Sequence, residues 1–325
     1  MLYNYTYVFC FQKGYTVKKV FIDGSAGTTG LRIVQRLSAR NDIELIVLSD
    51  ELRKDSEARR KALNSSDAAF LCLPDDAARE AVSMMTSTST VILDTSTAHR
   101  TADGWAYGFP ELSAKHRDAI ASSKRIAVPG CHASGFVSLI YPLVEAGILP
   151  DDALVCCHSL TGYSGGGKKM IAEYEDADRP SLFDAPRQYA LGQTHKHLPE
   201  MAAHTGLISK PIFSPIVADY YSGMLVCIPL FVSQINGTVE DVKAALKAKY
   251  SDGGLVQYVE GADESGLMSA GSLSGKDSMQ VSVYGNEERF TLVSRFDNLG
   301  KGASGAAIQC MNIAFGLDET TGLDV

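Results

Sequence analysis

The feature that most constrains this chain is a glycine-rich turn between a predicted strand and a predicted helix. The strand covers residues 18–23, the turn reads Gly24-Ser25-Ala26-Gly27-Thr28-Thr29-Gly30, and the helix covers residues 31–39. Further alternating elements are predicted: strands over residues 43–48, 68–73 and 91–94, and a helix over residues 77–85. This alternation predicts an α/β domain with a doubly wound parallel sheet. Glycines in such a turn let the backbone approach a pyrophosphate at the helix N-terminus. Their spacing departs from G-x-G-x-x-G, so a plain turn rich in small residues is the alternative interpretation.

The segment after the second predicted strand bears on which dinucleotide would bind. The adenosine ribose meets this position, where a lone acidic residue favours NAD and basic residues favour the 2′-phosphate of NADP. Asp50 favours NAD, whereas Ser49, Arg53 and Lys54 favour NADP. The sequence therefore predicts NADP. The arginine pair at residues 59–60 also suits a solvated helix face.

Bulk composition excludes several classes of function. A length of 325 residues favours two domains, and a net charge of −8 without a basic block argues against a nucleic-acid partner. No apolar run is long enough to span a bilayer, so no membrane partner is predicted. The seven cysteines include no C-x-x-C pair, which indicates reduced thiols in a cytosolic compartment. The first 16 residues lack a basic signal-peptide region and are interpreted as an extension without an assigned function.

Cys131 is the strongest candidate for a catalytic residue. It follows a predicted strand over residues 125–128 and a Pro-Gly turn, and it begins a run with one apolar helical face: Phe136, Leu139, Ile140, Leu143 and Val144. A thiol at a helix N-terminus is favoured as the thiolate, and nearby N–H groups can hold an oxyanion. Cys131 is therefore a candidate nucleophile, although a free cysteine is often only a small buried apolar residue. Pro142 predicts a kink or an early helix end.

A second cluster of reactive side chains follows in the segment His195-Lys196-His197-Leu198-Pro199-Glu200. A base oriented by a carboxylate suits a thiol nucleophile. His197 and Glu200 would face each other on a helix, so His197 is predicted as the acid/base with His195 in reserve. A His-x-His metal site is the weaker alternative, because no further Cys or His cluster completes a ligand set. A purely structural role is the other alternative.

The C-terminal half has a different pattern from the N-terminal half. Predicted strands cover residues 153–160, 223–232, 278–284 and 289–296, with a helix over residues 239–249. Without βα alternation, they predict an α+β domain with a mostly antiparallel sheet, one face of which could mediate dimerisation. The glycine loop at residues 161–169 can wrap an anion or remain a mobile surface loop. The segment at residues 297–305 can close over a cofactor or simply cap a helix.

Several motifs in order resemble those of one known family. They are the turn ending in Thr28-Thr29-Gly30, Tyr107-Gly108-Phe109-Pro110-Glu111-Leu112, Val128-Pro129-Gly130-Cys131, Gly162-Tyr163-Ser164-Gly165, His195-x-His197-x-Pro199-Glu200 and Asn298-Leu299-Gly300-Lys301-Gly302. Together they resemble the shorter form of the N-acetyl-γ-glutamyl-phosphate reductases, from about Lys18 to the C-terminus. Aspartate-semialdehyde dehydrogenases share the architecture and the thiol chemistry, but they match two of these motifs less well.

The resemblance implies an enzyme of arginine biosynthesis that uses NADPH to reduce an acyl phosphate, N-acetyl-γ-glutamyl phosphate, to its semialdehyde. The implied roles are as follows: Cys131 as the nucleophile, with His197, Glu200 and His195 as the other catalytic residues; Gly24, Ser25, Gly27, Thr28, Thr29 and Gly30 around the pyrophosphate; Ser49, Arg53 and Lys54 at the adenosine ribose; Asn298, Gly300 and Gly302 near the nicotinamide; and Arg100, Ser164 and Gly165 at the substrate. Longer members carry Pro-Gly-Cys-Tyr-Pro-Thr where this chain has Pro-Gly-Cys-His-Ala-Ser, which leaves the role of His132 open.

The expected organisation has four parts: an extension at 1–17, an NADP-binding Rossmann domain at 18–130, a catalytic and dimerisation domain at 131–296, and a C-terminal helix at 297–325 that returns to the first domain. We expect a cytoplasmic homodimer or homotetramer without a bound metal. An aspartate-semialdehyde dehydrogenase and a non-catalytic NADP-binding redox sensor are the competing interpretations.

Overall fold

The computed structural model describes residues 17–325, so the extension predicted for the N-terminus falls almost wholly outside the described residues. The N-terminal half contains β1 (Lys18–Asp23), α1 (Thr28–Ser38), β2 (Ile43–Ile46), α2 (Ser56–Ser65), β3 (Ala68–Leu71), α3 (Asp75–Ser83), β4 (Val91–Asp94), β5 (Ala106–Tyr107), α4 (Ala114–Ser122), β6 (Arg125–Ala127) and α5 (Cys131–Glu145). The C-terminal half contains β7 (Cys156–Gly162), α6 (Gly167–Glu175), β8 (Arg187–Gln188), α7 (Leu198–Thr205), β9 (Ile212–Ala218), β10 (Met224–Phe231), α8 (Val239–Lys249), β11 (Val256–Tyr258), β12 (Met279–Gly285), β13 (Arg289–Phe296), a π-helical turn (Gly300–Ser304) and α9 (Gly305–Ala314).

The first sheet is parallel throughout and has the strand order β2-β1-β3-β4-β6-β5. Its central strands β3 and β4 are buried along their whole length. Continuous apolar strands of this kind belong to parallel sheets that are covered on both faces. Separate apolar clusters lie on the two faces, one around Ile33 and Leu37 and the other around Leu63 and Ala81. The predicted doubly wound α/β sheet is confirmed.

The second sheet is mixed and has the strand order β11-β12-β13-β10-β7-β9-β8. The pairs β12·β13, β13·β10, β10·β7 and β9·β8 are antiparallel, whereas β11·β12 and β7·β9 are parallel. The predicted mostly antiparallel sheet is therefore confirmed. The four strands that were predicted, β7, β10, β12 and β13, begin and end within three residues of the predicted bounds, whereas β8, β9 and β11 were not predicted.

The two faces of the second sheet differ in their surroundings. The inner face packs on α5 and α8 in one large apolar cluster. The outer face carries exposed apolar side chains on three neighbouring strands, among them Cys156 on β7, Ile212 on β9 and Phe231 on β10. Ile212 and Phe231 are each 60% exposed. A patch of this kind on a sheet face is typical of an interaction surface.

Helix α5 begins at Cys131 and runs through Pro142 to Glu145, so of the two alternatives predicted at the proline, a kink or an early end, the early end does not occur. Proline has no N–H, which leaves the carbonyl four residues earlier, that of Ser138, without its helical donor. The hydroxyl of Tyr250 donates to that carbonyl over 2.7 Å. A tertiary contact therefore supplies the hydrogen bond that the proline removes, and the helix continues.

The C-terminal segment crosses back to the first sheet. Helix α9 packs its apolar residues, including Ile308 and Met311, into the cluster that contains Val20 and Ile22 of β1. Beside it, the buried carboxylates Asp277 and Asp297 pair with Arg36 and Arg32 of α1. These contacts join the glycine-turn helix to the segment that carries Asn298. Within residues 17–325, no helix combines the length and the hydropathy needed to cross a bilayer.

Candidate active site

A cavity of about 660 Å³ lies where the carboxyl ends of the first sheet's strands face the second sheet. It is lined from both halves of the chain, and its lining includes Gly27, Thr28, Thr29, Gly30, Arg100, Cys131, Ser164, Gly165, His195, His197, Asn298 and Gly302. Its size is that of a ligand pocket, and the carboxyl edge of a parallel sheet is where such folds bind ligands. The structure therefore brings together most of the site residues that the sequence predicts.

Cys131 is the first residue of α5, directly after its N-cap Gly130. A Cβ added to Gly130 would overlap Nη1 of Arg100 and Nε2 of His197, so only glycine lets both side chains approach this turn. Gly302 lies on the other side of the thiol, and a Cβ there would be 3.0 Å from Cβ of Cys131. The turn that carries the thiol is therefore bordered by the guanidinium of Arg100 and the imidazole of His197, and Gly302 lies on the other side of Cys131.

Glu200 does not orient His197, contrary to the prediction. Its carboxylate is 2% exposed and accepts hydrogen bonds from Nη1 of Arg100 at 3.0 Å, from the hydroxyl of Tyr107 at 2.9 Å and from the backbone N–H of Gly130 at 2.8 Å. His197 is the N-cap of α7, and its ring makes no hydrogen bond to Glu200 within the described residues. Glu200 instead fixes Arg100 and the turn that carries Cys131.

Arg100 is fixed through its guanidinium, which makes hydrogen bonds to three other residues. Besides Glu200, it donates from Nε to the carbonyl of Val128 at 2.9 Å and from Nη2 to the carbonyl of Thr95 at 2.8 Å. Its own carbonyl is bonded to the ring of His204. Each of its nitrogens therefore already has a protein partner, and its remaining N–H groups border the cavity.

His197 is 5% exposed, and its Nδ1 has no hydrogen-bond partner within the described residues. Burial, with the nearby positive charge of Arg100 second, holds the pKa of His197 well below its usual range. His195 accepts a hydrogen bond from the backbone N–H of His197, and burial lowers the pKa of His195 to about 4. Both rings are neutral near pH 7, and each neutral ring has one acceptor nitrogen; in His195 that nitrogen, Nδ1, already accepts from His197, so His197 is the ring left to act as a base.

The thiol of Cys131 is not a preformed thiolate, which corrects the expectation of a lowered pKa. Burial raises the pKa of Cys131 above its ordinary value of 9.0, and this outweighs the opposing effects of Arg100 and of the backbone N–H of His132. Desolvation disfavours the charged form, and one helix N-terminus does not compensate for it. The thiol therefore needs a base at the moment of reaction, and Nε2 of His197 faces the same turn.

The glycine turn has the geometry of a pyrophosphate cradle. Gly24 has φ +85°, and a Cβ there would overlap the carbonyl of Cys72, while one on Gly30 would overlap the carbonyl of Gly24. Helix α1 begins at Thr28, whose buried hydroxyl has no hydrogen-bond partner within residues 17–325. Free N–H groups at a helix N-terminus beside an unsatisfied hydroxyl fit a phosphate oxygen. These residues therefore fit a bound dinucleotide.

A smaller cavity of about 380 Å³ continues from the turn and is lined by Gly24, Ser25, Arg53, Lys54 and Arg59. Ser49 is exposed and does not line it; its carbonyl accepts from the backbone of Arg53. Arg59 is buried and bonded to Asp23 and Glu80, so the solvated helix face considered for the arginine pair applies only to Arg60. Asp23 and Glu80 line the cavity too and pair with Arg59, so the cations left at its edge are Arg53 and Lys54.

The glycine loop and the C-terminal motif meet at the cavity. Nδ2 of Asn298 donates to the hydroxyl of Ser164 at 3.0 Å, and Oδ1 of Asn298 accepts from the N–H of Gly223. Gly300, predicted near the nicotinamide, packs instead against the backbone of Lys276, where any Cβ would overlap the carbonyl oxygen. The glycine is required by chain packing rather than by a ligand.

Sequence reasoning did not assign Tyr107, Tyr189 or the Glu111–Lys301 pair. Tyr107 bonds Glu200, and Tyr189 lines the cavity beside Cys131. Nζ of Lys301, buried at 2% exposure, lies 2.7 Å from Oε1 of Glu111. Two of the recognised motifs therefore meet in a buried ion pair, and these motifs are the signal that could have pointed to Tyr107 and Glu111. No set of three or more His, Cys, Asp or Glu side chains within residues 17–325 is arranged to hold a metal ion.

Comparison with known proteins identifies the family to which both halves of the chain belong. A family model described as the semialdehyde dehydrogenase NAD-binding domain matches residues 19–121, and one described as the semialdehyde dehydrogenase dimerisation domain matches residues 131–298. The chain is 45% identical to N-acetyl-gamma-glutamyl-phosphate reductase 2 of Nostoc sp. over 94% of this chain and 99% of that protein. It is also 45% identical to N-acetyl-gamma-glutamyl-phosphate reductase of Rhizobium etli, over 91% of this chain and 98% of that protein.

Solved structures share the fold at low sequence identity. The crystal structure of aspartate semialdehyde dehydrogenase II from Vibrio cholerae, complexed with ASA, matches with a TM-score of 0.69 at 15% identity, over 92% of this chain and 98% of that one. Aspartate semialdehyde dehydrogenase with NADP from Candida albicans matches with a TM-score of 0.64 at 18% identity, over 91% and 98%. With the 45% identical relatives, these findings show that the chain belongs to the semialdehyde dehydrogenase family, in its N-acetyl-γ-glutamyl-phosphate reductase branch.

Proposed function

We propose that this chain reduces N-acetyl-γ-glutamyl phosphate to N-acetylglutamate 5-semialdehyde and phosphate, as a step of arginine biosynthesis, through a thioester on Cys131. One observation supports this most: Cys131 begins α5 in the same cavity as the glycine turn, with Nε2 of His197 against Gly130. A thiol, a neutral base and a dinucleotide cradle around one cavity are what acyl-phosphate reduction requires. The name of the 45% identical relatives, N-acetyl-gamma-glutamyl-phosphate reductase, supplies the substrate.

The first step forms the thioester. Nε2 of the neutral His197 takes the thiol proton of Cys131 as the sulfur attacks the acyl carbonyl. The negative charge on the carbonyl oxygen develops close to the guanidinium of Arg100 and the N-terminus of α5. The bond from carbon to phosphate oxygen breaks, and the protonated His197 gives its proton to the departing phosphate. The imidazole is then neutral again.

The second step releases the aldehyde. When bound, the nicotinamide supplies the hydride that reduces the thioester carbonyl. The resulting alkoxide on Cys131 reforms a C=O bond and expels the sulfur as a thiolate. Because burial raises the pKa of Cys131, the thiolate takes up a proton before the next turnover. That proton balances the one carried away by phosphate.

NADP is the proposed cofactor. Arg53 and Lys54 border the cavity beside Gly24 and Ser25, and Arg59 lies behind them. Arg53 pairs with the exposed Asp50 at 3.2 Å, so this acidic residue is partly neutralised. A cationic rim suits the 2′-phosphate that distinguishes NADP from NAD. Replacing both residues, as Arg53→Met and Lys54→Met, should raise the Kd for NADPH measured by its fluorescence and leave the Kd for NADH unchanged.

The direct test runs the reaction in reverse with N-acetylglutamate semialdehyde, phosphate and NADP, and follows NADPH formation. We expect phosphate-dependent turnover that is lost in Cys131→Ala. Faster turnover of aspartate semialdehyde would instead identify an aspartate-semialdehyde dehydrogenase. NADP binding without turnover of either aldehyde would indicate the redox sensor.

We also propose that the protein forms a homodimer in the cytoplasm through the outer face of its second sheet. The exposed Ile212 and Phe231 support this assembly, as does the match to a dimerisation domain. The described cysteines are all free, which suits a reducing compartment. Light scattering should show a smaller mass for Ile212→Glu with Phe231→Glu than for wild type, and an unchanged mass for the exposed control Val47→Glu on the first sheet's side. An unchanged mass in the double variant would contradict the interface.

A further inference from the structure

The side chain next to the nucleophile in sequence, His132, has no role in the mechanism above. It is 3% exposed, and both ring nitrogens are bonded: Nδ1 lies 2.7 Å from the hydroxyl of Ser159, and Nε2 lies 2.7 Å from the hydroxyl of Tyr189. Tyr189 follows β8 and is anchored by its backbone N–H to the carbonyl of Pro215. Its side chain lines the cavity together with Cys131.

The charge of the ring limits these two hydrogen bonds to two arrangements, one for each neutral tautomer. Burial lowers the pKa of His132 to about 3, so the ring is neutral and carries one N–H. Neither Ser159 nor Tyr189 makes a further side-chain hydrogen bond within the described residues. In the first arrangement, Ser159 donates to Nδ1 and Nε2–H donates to the oxygen of Tyr189, so the phenol proton is free to point into the cavity. In the second, Nδ1–H donates to Ser159 and the phenol donates its proton to Nε2.

The oxyanion needs a donor of this kind. The backbone N–H of His132 faces the sulfur of Cys131. One of the free N–H groups at the start of α5 is therefore directed at the thiol rather than at the substrate oxygen. Burial, with the charge of Cys131 second, raises the pKa of Tyr189, so the phenol keeps its proton at every working pH.

We propose that His132 is a positioning residue, which holds the hydroxyl of Tyr189 so that it donates a hydrogen bond to the carbonyl oxygen of the acyl group on Cys131. Ser159 sets the tautomer of His132, and Tyr189 is the residue that touches the substrate. A fixed donor of this kind strengthens its hydrogen bond as negative charge develops on the oxygen. This inference rests on the proposed acyl-phosphate chemistry, and it adds a side-chain donor to the Arg100 guanidinium and the N-terminus of α5.

The experiment compares His132→Asn and His132→Gln, each made with Tyr189 intact and in the Tyr189→Phe background. The asparagine amide reaches toward Ser159 but not toward Tyr189, whereas the glutamine amide places a donor near the position of Nε2. Tyr189→Phe should lower kcat by about 100-fold, as expected for removal of one oxyanion donor. His132→Asn should lower kcat by about tenfold and His132→Gln by less than about threefold, since only the first loses the positioning contact.

The decisive result comes from the double variant. In the Tyr189→Phe background, His132→Asn should change kcat by less than about twofold, because coupled residues are not additive. An equal loss in both backgrounds would overturn the proposal. The rate of Cys131 alkylation by iodoacetamide should be the same in all variants, because Tyr189 acts on the substrate oxygen and not on the thiol; a parallel loss of alkylation would indicate a structural effect instead.

Two controls keep the test conclusive. If His132→Asn fails to fold, Ser159→Ala replaces it, because loss of that donor lets Nε2 accept the phenol proton; kcat should fall with Tyr189 intact and stay constant in the Tyr189→Phe background. Turnover by the wild-type chain in the reverse assay reports on the proposed function alone. An active wild type with additive variants would thus refute only the role of His132.

Discussion

The substitution Gly130→Ala tests directly how closely Arg100 and His197 pack against the turn that carries Cys131. In Gly130→Ala, the added Cβ would overlap Nη1 of Arg100 and both Nε2 and Cε1 of His197. Neither side chain can retreat easily, because Arg100 is tied to Glu200, Val128 and Thr95 and the ring of His197 is 5% exposed. The turn that carries Cys131 must therefore shift relative to its base.

The magnitude follows from the displacement. A methyl group at this distance requires a shift on the order of 1 Å, and misplacement by that amount costs about 100-fold in rate. This corresponds to about 2.7 kcal/mol in activation free energy, at roughly 1.4 kcal/mol per tenfold. Overpacking of a buried position also lowers the free energy of unfolding, by about 1–3 kcal/mol.

The assay separates these two effects. Gly130→Ala should lose about 100-fold in kcat while its KM for NADPH stays constant, because the glycine turn at residues 24–30 does not touch Gly130. Gly271→Ala is the matched control, since the nearest atom to its added Cβ is 3.7 Å away. Urea unfolding of both variants measures the stability change. A Gly130→Ala variant that is folded and retains wild-type kcat would refute the placement of His197 and Arg100 against Cys131.

Three further predictions follow from buried contacts. Glu200→Gln should lower the free energy of unfolding by about 3 kcal/mol in urea titrations, because it leaves the Arg100 guanidinium buried without its counter-charge; a loss below about 1 kcal/mol would contradict the burial of that pair. Burial raises the pKa of Cys131 above 9.0, so its thiolate fraction should rise about tenfold per pH unit from pH 7 to 9. The rate of its alkylation should rise in parallel, and a plateau of that rate below pH 8 would show a preformed thiolate. Tyr250→Phe should cost about 1–3 kcal/mol of unfolding free energy, because the Ser138 carbonyl loses the donor that Pro142 cannot supply; circular dichroism thermal melts would detect it, and an unchanged Tm would mean that another group satisfies that carbonyl.

Local patterns in the sequence were sufficient for the parts of the site that depend on short-range structure. The glycine turn and the start of α5 at Cys131 depend on neighbouring residues, so both could be predicted. The role of Glu200 could not, because its partners Arg100 and Tyr107 lie 100 and 93 residues away in sequence. Helical spacing predicted that Glu200 would orient His197, but the carboxylate accepts from Arg100, Tyr107 and Gly130 instead.

Properties that depend on burial were also beyond the sequence. The direction of the Cys131 pKa shift depends on how fully the thiol is desolvated, and a helix N-terminus alone suggests the opposite sign. The continuation of α5 through Pro142 depends on Tyr250, more than 100 residues away in sequence. The role of His132 stayed open in sequence because its partners Ser159 and Tyr189 lie 27 and 57 residues away.

The covalent intermediate on Cys131 can be observed directly. The purified protein is mixed with N-acetyl-γ-glutamyl phosphate in the absence of NADPH, quenched in acid and digested for mass spectrometry. An N-acetylglutamyl adduct should appear on the peptide that contains Cys131, be absent in Cys131→Ala, and disappear with release of aldehyde when NADPH is added before the quench. Turnover without any adduct on Cys131, or an adduct confined to another cysteine such as Cys72, would contradict the thioester mechanism.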